Sequence, residues 1–296
     1  MVFKDGGRTA LLKAKLDELY SSYDLRHLHT DPLVFPHRYG DPLDKEIVAF
    51  FSAALAYGNV KSIQSDVEKI LAILGPRPHR RVLSLSHGEF RNGLGGFRHR
   101  FTTARHTAWL FLVAQRALSQ FGSLKALFLE GHSPGTPTLK GSLVAFVDRL
   151  ASFNPAPLYR NPREAKKDGA FFLLPSPRNG GACKRLNLFM RWVVRRGDSI
   201  DLGLWPEVSA AQLIVPVDTH VARISRYLGL TKRRGADWKT AEEITEALRK
   251  LDPADPLKYD FSLTRLGIMR DCVRQRERSR CSVCALEGIC GVGTPF

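Results

Sequence analysis

Long apolar runs are missing from this chain. No stretch reaches the roughly 18–20 residues that a membrane-crossing helix needs, so no membrane span is expected. Period-two alternation of apolar and polar residues is missing too, which argues against a sheet-based fold. Acidic residues are in short supply: 29 Asp plus Glu stand against 45 Lys plus Arg, for a formal net charge of +16. Of five cysteines in 296 residues, only Cys183 lies away from a C-terminal quartet. The opening Met-Val-Phe-Lys-Asp-Gly-Gly-Arg lacks the apolar segment of a signal and reads as neither signal nor transit peptide. A cytoplasmic, reducing location is expected, and there disulfides are disfavoured.

Helical periodicity dominates what is present. Leu11, Leu12, Leu16 and Leu19 make one stripe over 10–20. Residues 45–57 are almost continuously apolar and predict a helix buried on most sides. Further helices are expected over 60–74, 102–121, 123–129, 139–151, 183–195, 218–228, 240–251 and 258–269, with weaker potential over 163–173. Asp237 or Thr240 suits the N-cap of the helix that begins near 240. The fold class is all-α, without a fold-scale repeat.

The positive charge is clustered. Eight arginines and a single acid, Glu89, fall between Arg77 and Arg116, and a second basic stretch runs over 160–185. Arginine's planar fork suits phosphate contacts, so a polyanionic partner is expected. Phe35-Pro-His-Arg-Tyr39 and Phe97-Arg-His-Arg-Phe101 share the form aromatic-x-His-Arg-aromatic, one use of which is to stack on a base while arginine meets a phosphate.

Three segments carry chemistry. Gly180 and Gly181 precede a predicted helix, where a glycine turn and free N–H groups can hold a phosphate; Lys184 and Arg185 follow in its first turn. An apolar run, Leu213-Ile-Val-Pro-Val217, then delivers the chain to Asp218, which opens another helix. Taken alone, Asp218 is an N-cap. Last, Cys272, Cys281, Cys284 and Cys290 stand at C-x8-C-x2-C-x5-C within nineteen residues, a loop for zinc or for an iron–sulfur cluster. Arg274, Arg276, Arg278 and Arg280 lie inside its widest gap.

The string Val-Asp-Thr-His-Val-Ala-Arg-Ile-Ser-Arg-Tyr-Leu-Gly-Leu over 217–230 resembles the segment that carries the catalytic aspartate in endonuclease III and other helix-hairpin-helix DNA glycosylases. Gly-Gly-Ala-Cys-Lys-Arg-Leu-Asn over 180–187 is similar to their hairpin and lysine nucleophile, and Phe-Ser-Ala-Ala-Leu-Ala over 51–56 to a buried helix early in that fold. The cysteines resemble their terminal [4Fe-4S] loop, with a first gap two residues longer. The chain also resembles an uncharacterised bacterial family within that superfamily, DUF2400.

The resemblance implies a two-lobed fold: 42–205 as a helical-barrel lobe ending in the hairpin and nucleophile, and 1–41 with 206–296 as a lobe carrying the aspartate and cluster loop. It implies a monomeric, nucleoid-associated base-excision enzyme acting on a damaged or abasic nucleotide flipped out of double-stranded DNA. Lys184 would form a Schiff base and Asp218 would assist. Gly180, Gly181, Arg185, Arg274, Arg276, Arg278 and Arg280 would contact DNA. Cys272, Cys281, Cys284 and Cys290 would hold a [4Fe-4S] cluster, with zinc as the alternative. A non-catalytic DNA-binding or structure-sensing protein of the same fold is the competing expectation.

Overall fold

A computed structural model of the chain describes residues 5–273 and 275–291. Among these residues thirteen α-helices account for nearly all the regular structure, as an all-α chain requires. Helix α1 (Asp5–Ser21) leads into three short 3-10 turns over 25–38, the second of them capped by the Asp31 side chain. Helix α2 (Pro42–Ala54) starts where Asp41 caps two backbone N–H groups and Pro42 fits the first position. It is buried from Ile47 to Ala54, as its apolar composition demands. Helix α3 (Val60–Leu74) runs from the Asn59 cap to Gly75.

Helices α4 (Pro78–Ser84) and α5 (His87–Leu94) follow, the latter opened by a reciprocal Ser86–Glu89 capping box. Both are too short to show a periodic stripe, so periodicity alone does not predict them. Two-residue strands β1 (Arg98–His99) and β2 (Thr102–Thr103) pair antiparallel, the only strands among the described residues. The turn between them holds Arg100 at φ +54. Then come α6 (Ala104–Phe121), α7 (Leu124–Glu130), α8 (Lys140–Ser152), α9 (Pro162–Asp168), α10 (Lys184–Val194), α11 (Thr219–Tyr227), α12 (Trp238–Arg249) and α13 (Asp260–Ile268). Asp237 caps α12. No helix among the described residues is long and apolar enough to cross a membrane.

Helix α2 packs on α3, α4 and α10, while α6 packs on α4, α5, α7 and α8. At the other end α11 lies on α13, and α13 on α1. Two buried polar devices tie these parts together. The Glu46 carboxylate in α2 accepts from Leu124 N and Lys125 N at the start of α7, and from Trp205 Nε1, at 2.8–3.1 Å.

The larger device is a set of arginines with almost no exposure. Arg191 of α10 bonds Asp201 through Nε (3.1 Å) and Asp260, the first residue of α13, through Nη1 (2.5 Å). Arg195, one turn on, bonds Asp198, Asp201 and Asp255. Arg265 of α13 reaches Asp31 (2.8 Å) and Thr30. Burial alone would pull the Arg191 and Arg195 pKa values down, but the facing aspartates outweigh it and hold both above the ordinary value.

Removing one partner of such a set strands the others as buried charges. Arg191→Ala should therefore lower unfolding free energy by about 3–5 kcal/mol. Arg38→Ala, which loses an exposed pair with Glu68, should cost no more than about 1 kcal/mol. Urea denaturation of the two variants checks this, and equal losses would mean that the buried set does not hold the helices.

Candidate functional site

Lys184 and Asp218 lie 34 positions apart in the chain, yet both sit at helix starts that converge. Lys184 is the first residue of α10, and Asp218 is the N-cap of α11. Oδ1 of Asp218 accepts from His220 N and Val221 N, each at 2.9 Å. Its Oδ2 lies 3.2 Å from Lys184 Nζ. The capping role and the pairing with lysine thus use separate oxygens of one carboxylate. Burial pushes the Asp218 pKa up, but the Lys184 charge and the Val221 N–H more than offset it, so the group stays below the usual carboxylate range.

The pair stands in a cleft of about 330 Å³ whose wall includes Tyr57, Asp31, Arg191, His220, Thr264 and Arg265. His220 enters because residue 267 is glycine: a Cβ there would fall 2.6 Å from the His220 Cβ. Burial draws the His220 pKa below its ordinary value, with Asp218 pulling the other way. A groove of about 600 Å³ adjoins the cleft, sharing His220, Gly267 and Arg270 and adding Arg223 and Arg278. Periodicity and spacing had not singled out His220, Asp31, Arg191, Arg265 or Gly267; the Thr-His that follows Asp218 was the one local signal.

Gly180 takes φ +73, a left-handed turn that favours glycine, and Gly181 beside it is exposed. Gly180 O accepts from Trp238 N (2.9 Å), which ties the turn to the start of α12. Cys183 is packed rather than presented; burial pushes its thiol up to about 12.

Arg185 does not reach the surface as a phosphate contact would require. Its guanidinium is buried, donates to the carbonyls of Ala54 (2.8 Å) and Phe172, and stacks on the Phe172 and Tyr57 rings. Burial brings its pKa down to about 10. It braces the cleft wall. Phe101, by contrast, is 52% exposed and stacks on Tyr57. The two aromatic-His-Arg repeats differ in place: Phe35 and Phe97 are core residues, and buried His99 is held between Asp66 and Tyr57 O.

In the cysteine loop, Arg278 and Arg280 are exposed, and Arg280 pairs with Asp271 at 3.3 Å. Arg274 and the Arg276 side chain lie outside the described residues. Cys272, Cys281, Cys284 and Cys290 line one cavity of about 30 Å³ with Ile224, Leu266 and Leu286. Among the described residues, no three His, Cys, Asp or Glu side chains are gathered closely enough to hold a metal ion. The donor set nonetheless suits one: four thiols meet at a single cavity. Burial raises the Cys272 and Cys284 pKa values, and neighbouring thiols add to it, a repulsion that a bound cation relieves.

Fold and site together define an all-α, arginine-rich protein with a lysine–aspartate pair in a cleft. The chain belongs to the family described as protein of unknown function (DUF2400), which matches residues 31–269 and so takes in Lys184 and Asp218 and ends just short of Cys272. No curated protein and no solved structure gives a significant match.

The pairing has a sign that can be checked. A carboxylate held below its ordinary pKa favours the folded state above the usual carboxylate range, and that contribution disappears as pH falls through its own lower value. Lys184→Ala should therefore move the Asp218 pKa upward, toward what burial alone dictates. Carboxyl-carbon NMR titration measures it; an unmoved Asp218 would show that lysine does not govern the site.

Proposed function

We propose that the protein is a bifunctional DNA glycosylase of the helix-hairpin-helix type, which releases a damaged base and nicks the strand. The observation that carries this reading is the Lys184–Asp218 pair, 3.2 Å apart in a cleft large enough for a small ligand. The excess of arginine, the glycine turn before α10 and the resemblance of residues 217–230 to the aspartate segment of those enzymes support it.

The cleft receives a nucleotide turned out of the duplex; extrusion costs a few kcal/mol, least where the base is damaged or mispaired. Asp218 accepts a proton from the Lys184 ammonium, and the freed amine attacks C1′ of the sugar. The bond from C1′ to the base breaks, its electron pair leaves with the base, and the base takes up a proton. Carboxylate charge stabilises the positive charge that develops on the sugar. The resulting Schiff base permits elimination of the 3′ phosphate.

Outside the cleft, backbone N–H groups around Gly180 and Gly181 hold a phosphate, Arg278 and Arg280 follow the backbone, and Phe101 offers a face to an unstacked base. Cys272, Cys281, Cys284 and Cys290 hold a [4Fe-4S] cluster in this reading. Bound there, the cluster would cross-link the loop and take no part in base release. Iron and acid-labile sulfide in protein purified without oxygen test that assignment, and stoichiometric zinc would replace it.

Borohydride added to the protein on an abasic-site duplex should trap a covalent adduct, and Lys184→Ala should abolish the adduct. Asp218→Asn should slow base release by about 10²–10⁴-fold while leaving duplex binding largely intact. Trapping that survives Lys184→Ala would remove the nucleophile assignment. Binding without trapping or release would leave a DNA-binding protein with no turnover. Arg278→Ala should weaken binding evenly across sequences and lower the salt-dependence slope by about 1.

A further inference from the structure

The cleft that holds Lys184 and Asp218 has a polar wall of one kind. Arg191 and Arg265 both line it, and their side chains are 2% and 1% exposed. Each guanidinium offers five N–H donors and no acceptor. Most are committed: Arg191 to Asp201 and Asp260, Arg265 to Thr30 and Asp31. Arg191 Nη2 and Arg265 Nε, however, are buried without a protein partner. Buried donors of this kind are rare in folded proteins, because an unmet N–H forfeits its hydration for nothing in return.

The nearby acceptors are already spent. Asp31 accepts from Leu33 N through Oδ1 and from Arg265 through Oδ2. Asp218 has both oxygens engaged. Thr264 Oγ1 donates to Asp260 O, and Thr30 Oγ1 donates to His27 O. A ligand that enters this cleft therefore meets charged N–H donors, with the cleft's carboxylates already occupied.

We infer that the cleft selects heterocycles that present oxo groups and ring acceptors, and disfavours those that present an exocyclic amino group. Two guanidinium donors recognise an oxo edge in the way that arginine recognises guanine O6 and N7. An amino group brought to the same place would set N–H against N–H, in a site that cannot supply water. Applied to DNA, the preference points to bases in which an oxo group has replaced an amino group, the products of deamination. That application rests on the function proposed above; the polarity of the cleft does not.

Arg191 and Arg265 also hold the fold, so the test varies the ligand and leaves the protein intact. Two matched pairs serve, 9-methylhypoxanthine against 9-methyladenine and 1-methyluracil against 1-methylcytosine, each methyl standing for the sugar bond. Isothermal titration into the intact protein should show the oxo member of a pair bound tighter by about tenfold or more. Equal affinities, tighter binding of the amino members, or no binding of any of the four would overturn the inference. Equal affinities would also mean that the two N–H groups are met through water, for instance by Asp260 Oδ1. The result stands apart from turnover: a protein that releases no base yet shows the preference keeps the inference and loses the glycosylase reading. One that releases bases without preference does the reverse.

Discussion

Arg191 is the residue on which most of this structure leans. It lies two turns along α10 from Lys184 and is bonded to Asp260, where α13 begins, and to Asp201 in the loop that follows α10. Helix α13 packs on α11, whose cap is Asp218. A guanidinium with almost no exposure thus sets the distance between the two helices that carry the candidate reacting groups. Arg195 and Arg265 extend the set to Asp198, Asp255 and Asp31, and Tyr20 of α1 joins it by donating to Asp198. Each arginine is costly to bury and tolerable only because its aspartates are close. Loss of any one member would therefore be felt throughout.

The site is built on helix starts. The partial positive charge of the α11 N-terminus favours the Asp218 carboxylate, and the N–H groups there fix one of its oxygens. The other is left to face Lys184. A carboxylate so held cannot rotate away to follow a different partner, which is the kind of pre-organisation that charge stabilisation needs. Gly267 contributes by having no side chain, since His220 occupies the space that a Cβ would take. The adjoining groove, with Arg223, Arg270 and Arg278, continues the same sign of charge outward from the cleft.

Much of this was legible in one dimension. Helix α3 falls where its apolar stripe places it, and the apolar character of α2 does predict its burial. Lys184 and Asp218 stood out because each follows a recognisable start signal, glycines for one and an apolar run for the other. Helices α4 and α5 were not legible, since seven or eight residues give too few turns for a stripe and their boundaries rest on Pro78 and on the Ser86–Glu89 box. Arg185 misled for a different reason. A basic residue beside a glycine turn reads as surface, and only the carbonyls of Ala54 and Phe172, 131 and 13 residues away, make it a buried brace.

By itself the sequence determined the all-α class, the positive character and the identities of the residues able to do chemistry. Those depend on side-chain type and on spacing within a turn or two, which a linear chain carries in full. What only the tertiary structure decided is which charges are paired inside and which remain outside. Arg185, Arg191 and Arg265 look no different in sequence from Arg278, yet they are buried and it is exposed. Burial changes the cost of a charge, and partners far along the chain determine whether that cost is met. The pairing of Lys184 with Asp218 is of the same kind. Thirty-four residues separate the two, and the 3.2 Å between them follows from how α10, α11 and α13 pack.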